Sequence, residues 1–269
     1  MATATTRLDQ ALVDRGLVET RSRAQALIMA GCVFVDDRKE TKPGTKVKPG
    51  AALLVKGADH PWVSRGGLKL QGAIDQFGLD PTAAVAIDVG ASTGGFTDVL
   101  LTRGAARVYA VDVGHGQLAW KLRQDERVVV LEKLNARYLT EKHVPEPVDW
   151  VVCDASFIGL RTVLPAALSR LKPGGLAVAL IKPQFEVGKG RVGKGGIVRE
   201  PELHAEVVET ISGWFASLPG VEVTGVTQSP IKGPDGNVEF LIVACFTAGG
   251  AGLFTPRDPG EADGDAAGD

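Results

Sequence analysis

Cysteine is scarce in this chain of 269 residues, and the three present, Cys32, Cys153 and Cys245, are an odd number without metal-ligand spacing. Neither a disulfide framework nor a metal centre is expected, and a reducing cytoplasm fits best. No run of about 18 apolar residues occurs, which excludes a helix that spans a membrane. The opening MATATTRLDQ has no apolar core of the kind a secretory signal needs. Internal repeats are lacking, and so is the dinucleotide spacing G-x-G-x-x-G. Net charge is also small, −2 overall, but it averages unlike segments. Residues 1–59 hold ten Lys/Arg against seven Asp/Glu, a surplus of +3, whereas from Arg257 onward one arginine faces five acids.

With 44% hydrophobic and 23% charged residues, the composition is that of an ordinary globular protein, long enough for one larger domain and a small companion. The first segment reads as two short helices followed by strand-like pieces. RLDQALVDRGL places Leu8, Ala11, Leu12 and Arg15 on one face before Gly16 stops it, and SRAQALIMAG starts at a serine cap, with Ala24, Leu27 and Ile28 at helical spacing. CVFVDD, TKVKPG and ALLVKG then change to short strand-like runs divided by Pro and Gly. This predicts a compact basic module over residues 1–59, joined by a linker at 60–64 to a domain over 65–248, with a disordered acidic tail at 249–269.

From about Ala83 short apolar strands alternate with helical stretches: VAIDVG, ARVYAVDVG, RVVVLEK, VDWVVCD, GLAVALIK. Such runs indicate a mostly parallel sheet covered on both faces, an α/β doubly wound domain. VEVTGVTQS and NVEFLIVACF are too close together for a helical crossover, so they should pair antiparallel.

DVGASTGGFTDVL follows the first of these strands and opens a helix, where glycines let the backbone turn tightly and free N–H groups meet a ligand. Its spacing, Gly90, Gly94, Gly95 after an acidic Asp88, favours S-adenosylmethionine over a dinucleotide, since no pyrophosphate needs a cradle and a carboxylate suits a cationic amino-acid end. The candidate cofactor residues are Asp88, Gly90, Ser92, Thr93, Gly94, Gly95 and Phe96. Asp112, 24 positions after Asp88, is placed for ribose hydroxyls, and Asn135 either flanks the adenine or is a surface turn.

WVSRGGLKL, DVGASTGGFTDVL, VDVGHGQLAWKLR, DASFIGL, IKPQFEVGKG and GPDGNVEF together resemble the hemolysin A-type (TlyA) ribosomal RNA 2'-O-methyltransferases. The resemblance implies a small α+β S4-like RNA-binding domain fused to an FtsJ-like, Rossmann-like methyltransferase domain with a mostly parallel seven-stranded sheet. It further implies S-adenosylmethionine-dependent methylation of cytidine ribose in the RNA of both ribosomal subunits. FtsJ-like enzymes use a Lys-Asp-Lys-Glu set, carried here by Lys69 in GLKL, Asp154 after VDWVVC, Lys182 after GLAVALI and Glu239 in GNVEF. Asp154 also joins the implied cofactor residues.

Strand geometry independently gathers three of the four. Asp154 and Lys182 lie at the carboxyl ends of parallel strands, and Glu239 near the start of an antiparallel one, so all three share one rim. Lys69 taken alone reads more readily as an exposed helix charge, a reading only the family pattern reverses; Lys182 before Pro183 also reads as a solvated turn, and Asp154 as a turn cap through Ser156. The expected assignment makes Lys182 the base or hydroxyl-orienting group, Asp154 and Glu239 its positioners, and Lys69 an electrostatic support.

The glycine-rich segment Lys182 to Glu200 reads as a mobile lid that clamps RNA phosphates through Lys189, Arg191 and Lys194. Arg65, and Arg7, Arg21 and Arg23 in the basic module, are the other candidate RNA contacts. The alternatives are a nicotinamide dehydrogenase, which would need the missing dinucleotide spacing; a non-catalytic RNA-binding protein, which leaves the four charged positions unexplained; and a membrane-active hemolysin, for which no amphipathic pattern is present. Oligomeric state is not encoded in any motif.

Overall fold

The computed structural model describes residues 5–18, 20–55, 60–188 and 190–254. The chain divides between Pro61 and Trp62 into two compact units.

In the first unit, helices Leu8–Asp14 and Arg21–Met29 pack on one another. Strands Arg38–Glu40, Val33–Val35 and Leu53–Val55 form an antiparallel sheet with Val33–Val35 in the centre, and Thr6–Arg7 pairs with Lys46–Val47. Leu8, Leu12, Val18, Ala24, Ile28, Val33 and Val47 fill its core. Three details differ from expectation. The second helix is capped by Thr20, whose side chain accepts the Arg23 N–H, rather than by Ser22. Arg15 leaves the buried face and donates to the carbonyls of Lys48, Pro49 and Ala51. The hairpin into Arg38–Glu40 was not expected; it turns on Asp36 and Asp37, both at positive φ, the conformation of a tight turn between right-twisted strands.

The second unit holds a seven-stranded sheet: β1 (Val85–Val89), β2 (Arg107–Asp112), β3 (Val128–Glu132), β4 (Val148–Cys153), β5 (Leu171–Ile181), β6 (Val221–Gln228) and β7 (Phe240–Phe246). The spatial order is β6-β7-β5-β4-β1-β2-β3, and β7 is antiparallel to both neighbours. Period-two alternation distributes side chains between two cores. Ile87, Val151 and Ala179 face one, with helix Pro201–Ser217; Ala86, Trp150 and Val178 face the other, with helices Gly67–Phe77 and Gly95–Thr102.

Full-length helices do not fill every crossover. After β3 the chain makes only a 3-10 turn at Ala136–Tyr138. Pro145 and Pro147 further along lack the N–H groups a helix would require. At the boundaries, Trp62 is buried and Val63 donates its N–H to Asp98 at 2.7 Å, so the expected linker at 60–64 is half absorbed into the second unit. Residues 249–254, expected in the tail, pack instead: Gly250 N–H bonds Leu171 O at 2.8 Å and the Phe254 ring lies 6.5 Å from that of Trp214. The remainder of the expected tail, 255–269, lies outside the described residues.

Candidate active site

β1 delivers Asp88 into the interior and then turns sharply. Gly90 (φ +79°) is irreplaceable by steric logic, because a Cβ there would stand 2.8 Å from Ala155 Cα. Gly94 (φ +98°) sits where a Cβ would overlap Leu118 and Leu122. The Asp88 carboxylate is fully buried; Oδ2 accepts the Thr97 N–H at 2.9 Å and its hydroxyl at 2.6 Å, while Oδ1 has no hydrogen-bond partner among the described residues. Burial pushes the Asp88 carboxyl up to about 7, against the pull of Thr97. Asp112, ending β2, accepts the Ser92 N–H (2.8 Å) and the Gly114 N–H (2.7 Å), and so joins the two loops.

Two adjoining cavities open at this edge. The larger, about 450 Å³, is lined by Asp112, Val113, Gln117, Asn135, Phe157 and Ile158 among others. The smaller, about 220 Å³, is lined by Arg65, Lys69, Asp88, Ser92, Thr93, Gly95, Phe96, Lys182 and Pro234 among others. Gly90, Ser92, Asp154 and Ser156 belong to both walls. Gly94 shapes the turn without lining either. Asn135 caps the 3-10 turn, accepting the Arg137 N–H, and also faces the larger cavity.

The four charged residues gather beside that seam. Register explains part of it: Ile181 pairs with Phe240, so Lys182 and Glu239 sit one step further along adjacent strands. Lys182 Nζ lies 2.7 Å from Asp154 Oδ1, donates to Ser156 Oγ at 2.8 Å and to the Asp154 carbonyl at 3.1 Å. Lys69 Nζ lies 2.8 Å from Glu239 Oε2 and 3.5 Å from Asp154 Oδ2. The charges alternate in a chain, Lys182–Asp154–Lys69–Glu239. This corrects the expected pairing, because Glu239 meets Lys69 and not Lys182. Lys69, Lys182 and Glu239 are all buried, whereas the Asp154 side chain retains 21% exposure and faces the cavity. Nearby Cys153 is fully buried and its thiol is pushed up to about 12, which leaves it no nucleophilic role at neutral pH.

The candidate RNA contacts are scattered by comparison. Arg65 lines the smaller cavity and donates to the Lys232 carbonyl. Arg191 makes a bidentate pair with Glu206 (2.5 and 2.6 Å), Lys194 is exposed, and Lys189 lies outside the described residues. In the first unit Arg7 and Arg21 both bind Asp9, and Arg23 reaches the His60 carbonyl at 3.4 Å. The expected mobile lid is anchored at its far end, where Val198 is buried and its N–H bonds Asn237.

Sequence reasoning missed Ser156, Gln117, Phe157 and Glu132. Phe157 stands 90% exposed at the cavity mouth with φ +66°, its ring 5.2 Å from that of Phe185. Glu132, held down to about 2 by the Gly116 N–H and Arg123, organises the loop that carries Gln117. DASFIGL and VDVGHGQLAW contained Ser156, Phe157 and Gln117, but only the folded loops reveal which positions face the cavity.

A sheet of this order, with one antiparallel strand and a glycine turn over a buried acid, defines a Rossmann-like methyltransferase. The FtsJ-like methyltransferase family matches residues 62–246 and the S4 domain matches residues 6–53, and the chain belongs to the FtsJ-like family with an S4 domain at its N-terminal end. It is 50% identical to the 16S/23S rRNA (cytidine-2'-O)-methyltransferase TlyA of Mycobacterium tuberculosis, over 88% of each chain. It is 42% identical to Hemolysin A of Brachyspira hyodysenteriae, over 87% of this chain and 98% of that one. A solved structure from Streptococcus thermophilus, named as a candidate hemolysin, superposes with a TM-score of 0.70 at 44% identity, covering 91% of this chain and 90% of that one. Among the described residues no helix is long and apolar enough to cross a membrane.

Proposed function

We propose that this protein transfers a methyl group from S-adenosylmethionine to the ribose 2'-hydroxyl of cytidine in ribosomal RNA, acting on small and large ribosomal subunits in the cytoplasm. One observation carries the reading: an alternating array of two amines and two carboxylates, all but Asp154 buried, stands at the seam of two cavities beneath the glycine turn.

The residues fit the cofactor. The unpartnered Asp88 Oδ1 would take the ammonium of its amino-acid end, and the cavity walled by Asp112, Gln117 and Asn135 would hold its nucleoside. When bound, the cofactor supplies a methyl group already activated by the positive sulfur. The protein's task is then alignment and proton removal. Lys182 orients the incoming hydroxyl, or takes its proton after first yielding one of its own to Asp154. Asp154 and Ser156 fix the Lys182 amine from two sides, and Lys69, held by Glu239, sets the charge balance of Asp154. Arg65 at the smaller cavity, and Arg191 and Lys194 on the glycine-rich segment, supply phosphate contacts, with Lys189 beside them in sequence. Arg7, Arg21 and Arg23 dock structured RNA on the first unit, where phosphate contacts position more than they specify.

The decisive test is a map of ribose methylation on ribosomal RNA from cells with and without the protein, repeated with purified protein and purified subunits. Loss of specific cytidine methylations in its absence, restored by the purified protein, is the expected result. An unchanged map, with no methyl transfer in vitro, overturns the reading.

A further inference from the structure

The stretch GPDGNVEF contributes only its glutamate to the chemistry above, yet it contains another buried polar side chain. Asn237 is 1% exposed. Its Oδ1 accepts the Val198 N–H at 2.9 Å, and its Nδ2 donates to the Gly196 carbonyl at 2.9 Å. The partners fix which amide atom is which, since one is an obligate donor and the other an obligate acceptor. Both belong to the far end of the glycine-rich basic segment.

The main chain of Asn237 is equally committed. Its carbonyl accepts the Gly233 N–H at 2.9 Å and closes the turn in which Gly236 N–H bonds Gly233 O at 3.0 Å. That turn borders the smaller cavity through Pro234, and Lys232 just before it gives its carbonyl to Arg65. Gly233 packs so closely on Glu239 that a Cβ there would lie 2.6 Å from Oε1. Two residues beyond Asn237 stands Glu239 itself, against Lys69.

The basic segment is therefore a strap with two fixed ends. Val187 is buried at one end; at the other Val198 is buried and its carbonyl bonds His204 Nε2 at 3.0 Å. Between them Gly188, Gly190, Gly195 and Gly196 all adopt positive φ. Arg191 and Lys194 ride on this strap. The Asn237 amide joins the far end of this strap to the turn that leads into Glu239.

We propose that Asn237 is a positioning residue that registers the RNA-gripping strap against the Lys69–Glu239 pair, so that phosphates held by the strap place the target ribose over Lys182 and Asp154. The inference rests on the RNA methyl-transfer reading and adds a specific coupling to it. Neither cavity wall includes Asn237, Gly196 or Val198. Its loss therefore acts on RNA and not on the cofactor.

In Asn237→Ala, two buried hydrogen bonds vanish and the KM for ribosomal RNA rises about tenfold or more, with a comparable fall in the single-turnover rate at saturating RNA. S-adenosylmethionine affinity stays within about twofold, as expected for a change outside both cavities. Asn237→Asp keeps an acceptor for Val198 but turns a second oxygen toward the Gly196 carbonyl, and shifts the same parameters in the same direction. Hydrogen exchange supplies the readout on folding: the Val198 amide loses protection while the Thr97 amide, bound to Asp88, keeps it. Should the alanine variant fail to fold, Asn237→Ser carries the same expectations. An Asn237→Ala protein with an opened Val198 amide but wild-type KM and rate refutes the coupling, as does a parallel loss of cofactor affinity. Absence of methyl transfer by the wild-type protein defeats the functional reading and this inference with it; an active wild type with an indifferent variant defeats the inference alone.

Discussion

Each unit buries a carboxylate among cations, and the two do so in opposite ways. In the first unit Asp9 is wholly enclosed and saturated: Arg7 donates twice, at 3.0 and 2.9 Å, and Arg21 and Gln25 donate to Oδ2 at 3.0 and 2.8 Å. The Arg7 hydrogen bonds above all, then Gln25 and Arg21, hold the Asp9 carboxyl well below the usual carboxylate range. In the second unit Glu239 is as deeply buried, yet neither of its oxygens has an aligned hydrogen bond among the described residues, although Oε2 lies within ion-pair reach of Lys69. Asp154 Oδ1 and Asp88 Oδ1 are likewise unaligned or unpartnered. A carboxylate that serves only the fold is expected to be fully satisfied, because each missing bond costs stability. One that serves chemistry keeps capacity in reserve.

That contrast breaks most visibly at Lys182. Lys182→Ala is expected to slow single-turnover methyl transfer by about a hundred- to ten-thousand-fold while the protein still binds cofactor; a wild-type rate would show that the array is structural, like the one around Asp9. Next comes Asp88. In the free protein its carboxyl is protonated below about pH 7, and a cationic ligand prefers its anion, so cofactor affinity should climb as pH rises toward 7 and level off above it. Asp88→Asn should bind about tenfold more weakly with a flat pH profile; titration calorimetry at several pH values tests both statements.

For the saturated site the expected loss is in stability and not in turnover. Asp9→Ala removes a buried acceptor but leaves its arginines half exposed and able to rehydrate, so about 2 kcal/mol of the first unit's stability should be lost, read by denaturant unfolding. The pH sign follows from the depressed folded value: the contribution of Asp9 is complete above the ordinary carboxylate pKa of about 4 and disappears as pH falls toward its folded value. Smallest of all is Glu206→Gln, which releases Arg191 from an exposed pair. Stability should not move measurably, and RNA affinity should rise by less than about threefold, in a salt-dependent manner.

The sheet was legible because its strands are continuous apolar runs, and the glycine turn after β1 because only glycine tolerates what Gly90 must do beside Ala155. Crossover helices were less legible, since an apolar run says nothing of whether the following segment is helical or merely packed, as at Ala136–Tyr138. Glu239 was placed on the right rim by strand direction, but its partner was misassigned. Register alone puts it beside Lys182, whereas side-chain reach turns it to Lys69 on a separate helix. Ser156 and Phe157 were not read as cavity residues because their placement depends on a loop conformation, including a positive φ at a phenylalanine, that no spacing rule encodes.

Local pattern thus determined which segments become strands, where the chain must turn, and which side chains are chemically capable of binding a sulfonium cofactor and handling a hydroxyl proton. Only the tertiary structure decided which of those groups meet, which carboxylates are left partly unsatisfied, and that Asn237 ties the basic strap to the turn leading into Glu239. The reason is that ion pairing and hydrogen bonding are fixed within a few tenths of an ångström by side chains from elements far apart in sequence, and a one-dimensional pattern carries no such distances.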